Sequence, residues 1–490
     1  MSKRQYKTGI NRDQEHLLPA RVEDYVSPGN VVRAVDAYVS TLILSELSFS
    51  KTNSLSNREQ PAYDPGMLLK LYLYGYQQSI RSSRKLERET HRNLEVIWLV
   101  GGLRPSYKTI ADFRKENAKS LRLVNRDFVL LCKELSLLGC EEVAVDGSFF
   151  KADASKGSIY TEQKLSQQLK ALDGKIKEYQ DAIASQDQRD DEARLGQLVE
   201  DAQLQQKLER LQQKQAEKQA LKKQLDASGD TQISTVDEDA RLLKKRGQST
   251  AGYNVQIAVD DKHKLIVAQD VTQDGNDSHQ LSPMLERSQE IMQSDKLTGL
   301  ADSGYYDGDQ LKSCEGNQMT VYVAVPDSQK AMRKKGYFTL DEFTYDVEQD
   351  CYTCPHGQTL TPYGKPFQKN NKWRMRYASK SKDCRVCPSR EKCFSPKSAR
   401  RQIQRWEHED VIERHKARMK QAPDVMKKRS AIVEHPFGVL KHRAGMHHFL
   451  MRGLEKCQGE FSLMVTSYNM TRVLNLLGIE TFVAYCESRG

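Results

Sequence analysis

The sequence predicts an α/β fold: a mixed-sheet core interrupted by insertions and preceded by a helical region. Three observations carry this reading. Short apolar strand patterns recur at 142–146, 253–272 and 298–325, with an amphipathic helix between the last two. Residues 61–130 place apolar side chains at helical spacing, and residues 160–230 carry heptad-spaced leucines in a Gln/Lys-rich background. With 490 residues the chain exceeds the size at which one core usually splits, so two to four domains are expected.

Composition narrows the classes. Hydrophobic residues make up 38% and charged residues 29%, with a mean hydropathy of −0.72, which suits a soluble globular protein with very polar segments. The opening MSKRQYKTGINRDQEHLLPARVEDY has no apolar run of leader length, and no apolar run anywhere is long enough to cross a bilayer. The expectation is a cytoplasmic protein with no membrane partner. A net charge of +10 and a pI near 8.9 favour an anionic partner. Ten cysteines in so long a chain, five of them in one region, do not describe a secreted disulfide scaffold.

Taken in order, residues 1–138 read as the helical N-terminal region. Asp64-Pro65 is a helix start, Gly101-Gly102 and Pro105 a turn, and Ser106 the start of a second helix. A helix, a turn and a second helix fit a helix-turn-helix DNA reader whose Arg81, Arg84, Lys85, Lys108, Arg114 and Lys115 meet phosphates or bases. A bundle with solvated basic faces fits the pattern equally well. The core begins with 139–160 and resumes at 231–335. Between them, 161–230 places Leu165, Leu169, Leu172, Ile176, Tyr179 and Ile183 on a heptad seam that lapses through ASQDQRDDEARLG. The seam resumes at Leu204, Leu208, Leu211, Leu221 and Leu225. Two helices folded back as an antiparallel coiled-coil hairpin bury both seams; an intermolecular coiled coil is the alternative. In the core, GYNVQIAVDDKHKLIVAQDVT is a hairpin turning at Asp260-Asp261, SPMLERSQEIMQ a helix, KLTGLADSGYYDGDQL strand, loop and helix start, and QMTVYVAVP a strand.

Three acids stand out. Asp146 follows the apolar Val143-Ala144-Val145 and looks like the end of a strand. Asp302, in GLADSGYY, ends another before a Gly turn. Glu434, in RSAIVEHPFG, has Arg429 before it and Lys441 two helical turns after, with a helix either passing through Pro436 or starting near Glu434. A carboxylate at a buried strand end is costly unless its charge is compensated. Three converging carboxylates are relieved by two Mg²⁺ ions, which also supply a chemistry, phosphoryl transfer. Lys151 and Lys156, just downstream of Asp146, are placed to meet a DNA strand held at this site. Residues 336–422 are the Cys-rich insertion, with Cys351, Cys354, Cys384, Cys387 and Cys393 among Lys, Arg and aromatic residues including Trp373 and Trp406, both read chiefly as packing. Paired CxxC spacing reads as structural zinc, with an iron–sulfur cluster or free thiols as alternatives; spacing alone prefers Cys351 to Cys393. Residues 423–490 then complete the core with the Glu-bearing helix.

The blocks VAVDGSFFKADASK, GYNVQIAVD, VTQDGNDSHQLSPML, LADSGYYDGDQL and RSAIVEHPFGVLKHRAGMHHFLMRG stand in one order along the chain, with YDPGMLLKLYLYGYQQSIRSSRKLERETHRN before them and YNMTRVLN after. In these blocks the sequence resembles the DDE-type insertion-sequence transposases, specifically the IS eleven-eighty-two group. The resemblance implies an RNase H-like core and a catalytic, Mg²⁺-holding triad of Asp146, Asp302 and Glu434. It implies hydrolysis at terminal inverted repeats followed by attack of the freed 3′-hydroxyls on target DNA. Double-stranded DNA is then the partner, with Arg429 and Lys441 among its contacts, in a homodimer or higher oligomer associated with the nucleoid; Arg443, two residues past Lys441, is a further candidate DNA contact. It also favours Cys354, Cys384, Cys387 and Cys393 as the zinc ligands, with Cys351 as the extra thiol. The competing readings are a non-catalytic, domesticated DNA-binding protein and a DDE-type nuclease without strand transfer.

Overall fold

The computed structural model describes residues 21–50, 63–186, 194–245, 247–395 and 397–489. The first twenty residues and the centre of the heptad lapse lie outside them.

Val143, Ala144 and Val145 are fully buried, as an apolar run covered on both sheet faces requires. Their strand, Glu142–Lys151, lies in the interior of a six-stranded sheet. One edge pairs antiparallel with the long strand Gln248–Asp260, from Val143 opposite Asp260 to Lys151 opposite Gly252. The other pairs in parallel with Thr298–Ala301, which pairs in parallel with Thr320–Val323. The far edge of the long strand carries Ile266–Thr272 and Arg241–Lys245. An antiparallel meander on one side of the first strand and two parallel strands on the other are compatible with an RNase H-like core. Helices Leu281–Met292, Val425–Gly438 and Leu454–Leu477 pack on this sheet.

The first strand does not end at Asp146. It runs five residues further, to Lys151, and Gly147 is no turn. A Cβ at Gly147 would stand 2.5 Å from Gln256 Nε2 and 2.6 Å from Asp277 Oδ1, so glycine here serves close approach within a strand.

In the N-terminal region Asp64 caps the helix Pro65–Gln77 through the amides of Gly66 and Met67, and Ser106 caps Tyr107–Glu116. Gly101 and Gly102, with φ of 60° and 75°, make the turn. These helices do not form a core of their own. Their buried side chains run continuously into those of the sheet, and Pro65–Gln77 and Ala118–Glu134 pack directly on Leu454–Leu477.

Helices Glu162–Gln186 and Arg194–Ser228 lie against each other, rooted in a ribbon of Ile159–Thr161 with Gln232–Ser234. Lys222 Nζ reaches Ser166 Oγ and Gln215 reaches Asp173, an antiparallel order. Leu165, Ile176 and Leu225 are buried on the seam, Leu169, Leu172, Tyr179, Leu208 and Leu211 are half-buried along it, and most of the residues between are exposed. The Cys-rich region holds a separate five-stranded antiparallel sheet over a small core of Phe343, Tyr352, Leu360, Tyr377 and Ile403. Helix Glu409–Gln421 leaves that region and packs on Thr320–Val323, where His415 Nε2 lies 2.8 Å from the Val323 carbonyl.

Candidate active site

Parallel register brings the two aspartates together. Ala144 pairs with Leu300, so two residues further on the same alternation sets Asp146 beside Asp302. Asp302 begins a tight turn, Ser303–Tyr305, and its Oδ1 accepts the Gly304 amide at 2.8 Å. Between the carboxylates lies the guanidinium of Arg429, with Nη2 2.6 Å from Asp146 Oδ1 and 3.9 Å from Asp302 Oδ2. The same nitrogen donates to the Val145 carbonyl at 3.3 Å. A side chain, Arg429, therefore offsets part of the cost of burying Asp146. Burial still pushes the Asp146 carboxyl above its usual range, against the pull of Arg429.

Helix Val425–Gly438 delivers Arg429, and it passes through Pro436 near its C-terminal end rather than starting there. Ile432, Val433, Pro436 and Phe437 bury its inner face. Glu434 is exposed on the same helix, five residues past Arg429, and it makes no hydrogen bond or ion pair with either aspartate. The helix opens into a wider π turn, Val439–Arg443, a local irregularity that re-aims its side chains. From it Lys441 folds onto the first strand, with Nζ donating to Ser148 Oγ and, at 2.8 Å, to the Phe149 carbonyl. Burial, and then the nearby Lys245, lowers the Lys441 ammonium to a pKa of about 8. Lys151 and Arg443 are exposed.

The other basic residues divide. Arg84, Lys85, Lys108 and Lys115 are exposed, with the Arg84 guanidinium 4.9 Å from the Tyr107 ring centre. Arg81 and Arg114 do not belong with them. Only 7% and 5% exposed, they converge on Glu460 of helix Leu454–Leu477, at 2.9 Å and 3.6 Å. Their positive charge is spent inside the protein, so neither meets DNA from this position. Tyr305 is fully buried. Trp406 is buried against Gly308, whereas Trp373 is half exposed.

Cys354, Cys384, Cys387 and Cys393 line one small cavity, and Cys351 is not among its walls. The Cys393 thiol is pushed up to about 11 by burial and by the three neighbouring thiols. Among the described residues, no three or more His, Cys, Asp or Glu side chains stand in metal-holding geometry, either here or around Asp146. Sequence reasoning missed Asp277, which accepts the side-chain amides of Asn254 and Gln256 at 2.8 and 2.7 Å beside this site. Its setting, Asn-Asp-Ser ahead of a helix, reads like an ordinary turn.

The transposase DDE domain model matches residues 225–470, half of the chain. The chain belongs to the transposase DDE domain family. Asp302, Arg429, Glu434 and Lys441 fall within the matched segment, and Asp146 precedes it. A second transposase domain model, described as DUF772, matches residues 20–116, the helical region. Together they make this DDE transposase an insertion-sequence transposition enzyme acting on DNA. Among curated proteins, none is similar enough in sequence to be matched. A piggyBac transposase synaptic complex with hairpin DNA covers 93% of this chain and 78% of that one at 8% identity. Its TM-score of 0.32 is too low to carry weight.

Proposed function

We propose that this DDE transposase binds the terminal inverted repeats of its element, cleaves the ends by divalent-cation-dependent hydrolysis and joins the 3′-hydroxyls to target DNA. The observation that carries the proposal is the pairing of Asp146 with Asp302 at adjacent strand positions around one cationic group. The two aspartate carboxylates are hard oxygen donors of the kind a divalent cation takes, and the guanidinium between them marks where positive charge is held. Asp146 and Asp302, with Glu434 as the third carboxylate, would hold two magnesium ions. Bound there, the pair supplies an activated attacking oxygen and a stabilised leaving oxygen.

The chain's own cations bind and orient the strand. Arg429 and Lys441 offer charge at the scissile phosphate, Lys151 and Arg443 on its flanks. Arg84, Lys85, Lys108 and Lys115 give the helical region a basic outer surface for duplex DNA. Two ends must be brought together, so the active form is a dimer or larger assembly. Among the described residues no helix is long and apolar enough to cross a membrane, and the setting we infer is the nucleoid. Cys354, Cys384, Cys387 and Cys393 would hold one structural zinc, which the thiol-lined cavity supports.

The test uses a duplex carrying the inverted repeat that flanks the gene, with Mg²⁺. The wild type should nick it and join a precleaved end to target DNA. Asp146→Ala should bind the end and not nick it; nicking at the wild-type rate would remove the triad. Metal analysis should find about one zinc per chain, lost in Cys384→Ser. Wild-type protein purified without chelators and free of zinc would refute that site.

A further inference from the structure

The block VTQDGNDSHQLSPML has no part in the triad, yet it puts Asp277 against the site. Two buried side chains, Gln256 and Tyr305, link it to the Asp302 turn. Asn254 and Gln256, both fully buried on the long strand, donate their amides to Asp277 Oδ1. With its NH₂ engaged there, the Gln256 amide has only one orientation left, and its oxygen faces the hydroxyl of Tyr305, which donates to it. Tyr305 is fully buried and is the last residue of the turn that Asp302 caps. Asp277 thus fixes Gln256, Gln256 anchors Tyr305, and Tyr305 holds the turn carrying the second aspartate.

Glycine at 147 admits this chain of contacts. A Cβ there would meet Gln256 Nε2, Asp277 Oδ1 and, at 3.0 Å, the Tyr305 hydroxyl, all beside Asp146. On the far side, a Cβ on Gly304 would stand 3.0 Å from Asp302 Oδ1 and 3.6 Å from Asp277 Oδ2, so the two carboxylates flank one point.

We infer that Asp277 is a positioning residue for the DDE reaction, setting the Asp302 turn at the spacing that cation binding requires. The inference rests on the function proposed above for Asp146 and Asp302. Removing Asp277 strands two buried amides and frees the Gln256 amide to turn. Asn at this position keeps the Oδ1 acceptor and should keep the network.

The test measures Mn²⁺ binding to the full chain without DNA, by electron paramagnetic resonance, together with end cleavage and melting temperature. Asp277→Ala should weaken Mn²⁺ binding by about 10- to 100-fold, as loss of a ligand-orienting partner does. Asp277→Asn should stay close to wild type. Wild-type Mn²⁺ affinity in the folded Ala variant, with or without a lower melting temperature, would overturn the inference and leave the function standing. Equal damage by Asn and Ala would overturn it too, because the negative charge itself would then be what matters. If Asp277→Ala weakens Mn²⁺ binding but the wild type cleaves no end DNA, the positioning role stands and the transposition chemistry falls. A wild type that takes up no Mn²⁺ overturns both.

Discussion

Lys441 is the residue whose chemistry most clearly reflects its place. An exposed lysine stays charged far above neutral pH, but burial brings this one to about 8 from an ordinary 10.5. Because the folded pKa is the lower, the unfolded chain binds more protons between those values, and the folded protein gains stability as pH rises through that window. DNA binding should run the opposite way, since a phosphate needs the ammonium charged. Affinity for end DNA is expected to fall by up to about tenfold per pH unit above 8. Lys441→Arg, which keeps its charge, should flatten that slope. Fluorescence anisotropy from pH 7 to 9.5 checks this, and an unchanged slope in the Arg variant would show that Lys441 does not meet the DNA.

At the level of the element, two glycines separate sequence-visible effects from fold-dependent ones. Gly174 lies inside helix Glu162–Gln186, where an added Cβ meets nothing within 4 Å. Gly174→Ala should therefore stabilise the hairpin by about 0.5–1 kcal/mol. Gly252 faces the first strand, and a Cβ there would stand 1.9 Å from the Phe150 carbonyl oxygen, a backbone atom that cannot swing aside. Gly252→Ala should lower the melting temperature sharply, with thermal denaturation of the pair giving shifts of opposite sign. Elements of this kind were legible because their cues are local: the Asp64 and Ser106 caps, the heptad seam, and the alternation of Val255, Ile257 and Val259. The pairing of Asp146 with Asp302 was legible as well, since each acid follows a short apolar run and strands of one sheet align such runs. What local pattern does not carry is a partner far along the chain. Arg429 reaches Asp146 across 283 residues, and the Gln256 and Asp277 side chains that press on Gly147 are over a hundred residues away along the chain.

For the whole molecule, the decisive long-range group is Glu460. It is fully buried and joins the helical region to the catalytic sheet. Its Oε1 accepts from Arg81 at 2.9 Å and from the Tyr76 hydroxyl at 3.1 Å, and its Oε2 accepts the amides of Leu450 and Met451. Burial raises its pKa, but Arg114 and Arg81 pull it below the usual carboxylate range of 4.5. Its contribution is therefore complete above that pH and lost as pH falls through the lowered value. Arg81 and Arg114 are each separated from Glu460 by more than 340 residues, so nothing in their own neighbourhood marks them as buried. Glu460→Ala leaves two buried guanidinium groups without a counter-charge, at a cost of about 3–5 kcal/mol. Because the apolar core runs unbroken from the N-terminal helices into the sheet, that cost should fall on both together. Calorimetry should show a single transition for these regions moving down in temperature in the variant. A catalytic sheet still melting at the wild-type temperature, with the N-terminal helices lost separately, would show instead that Glu460 joins two independently stable units.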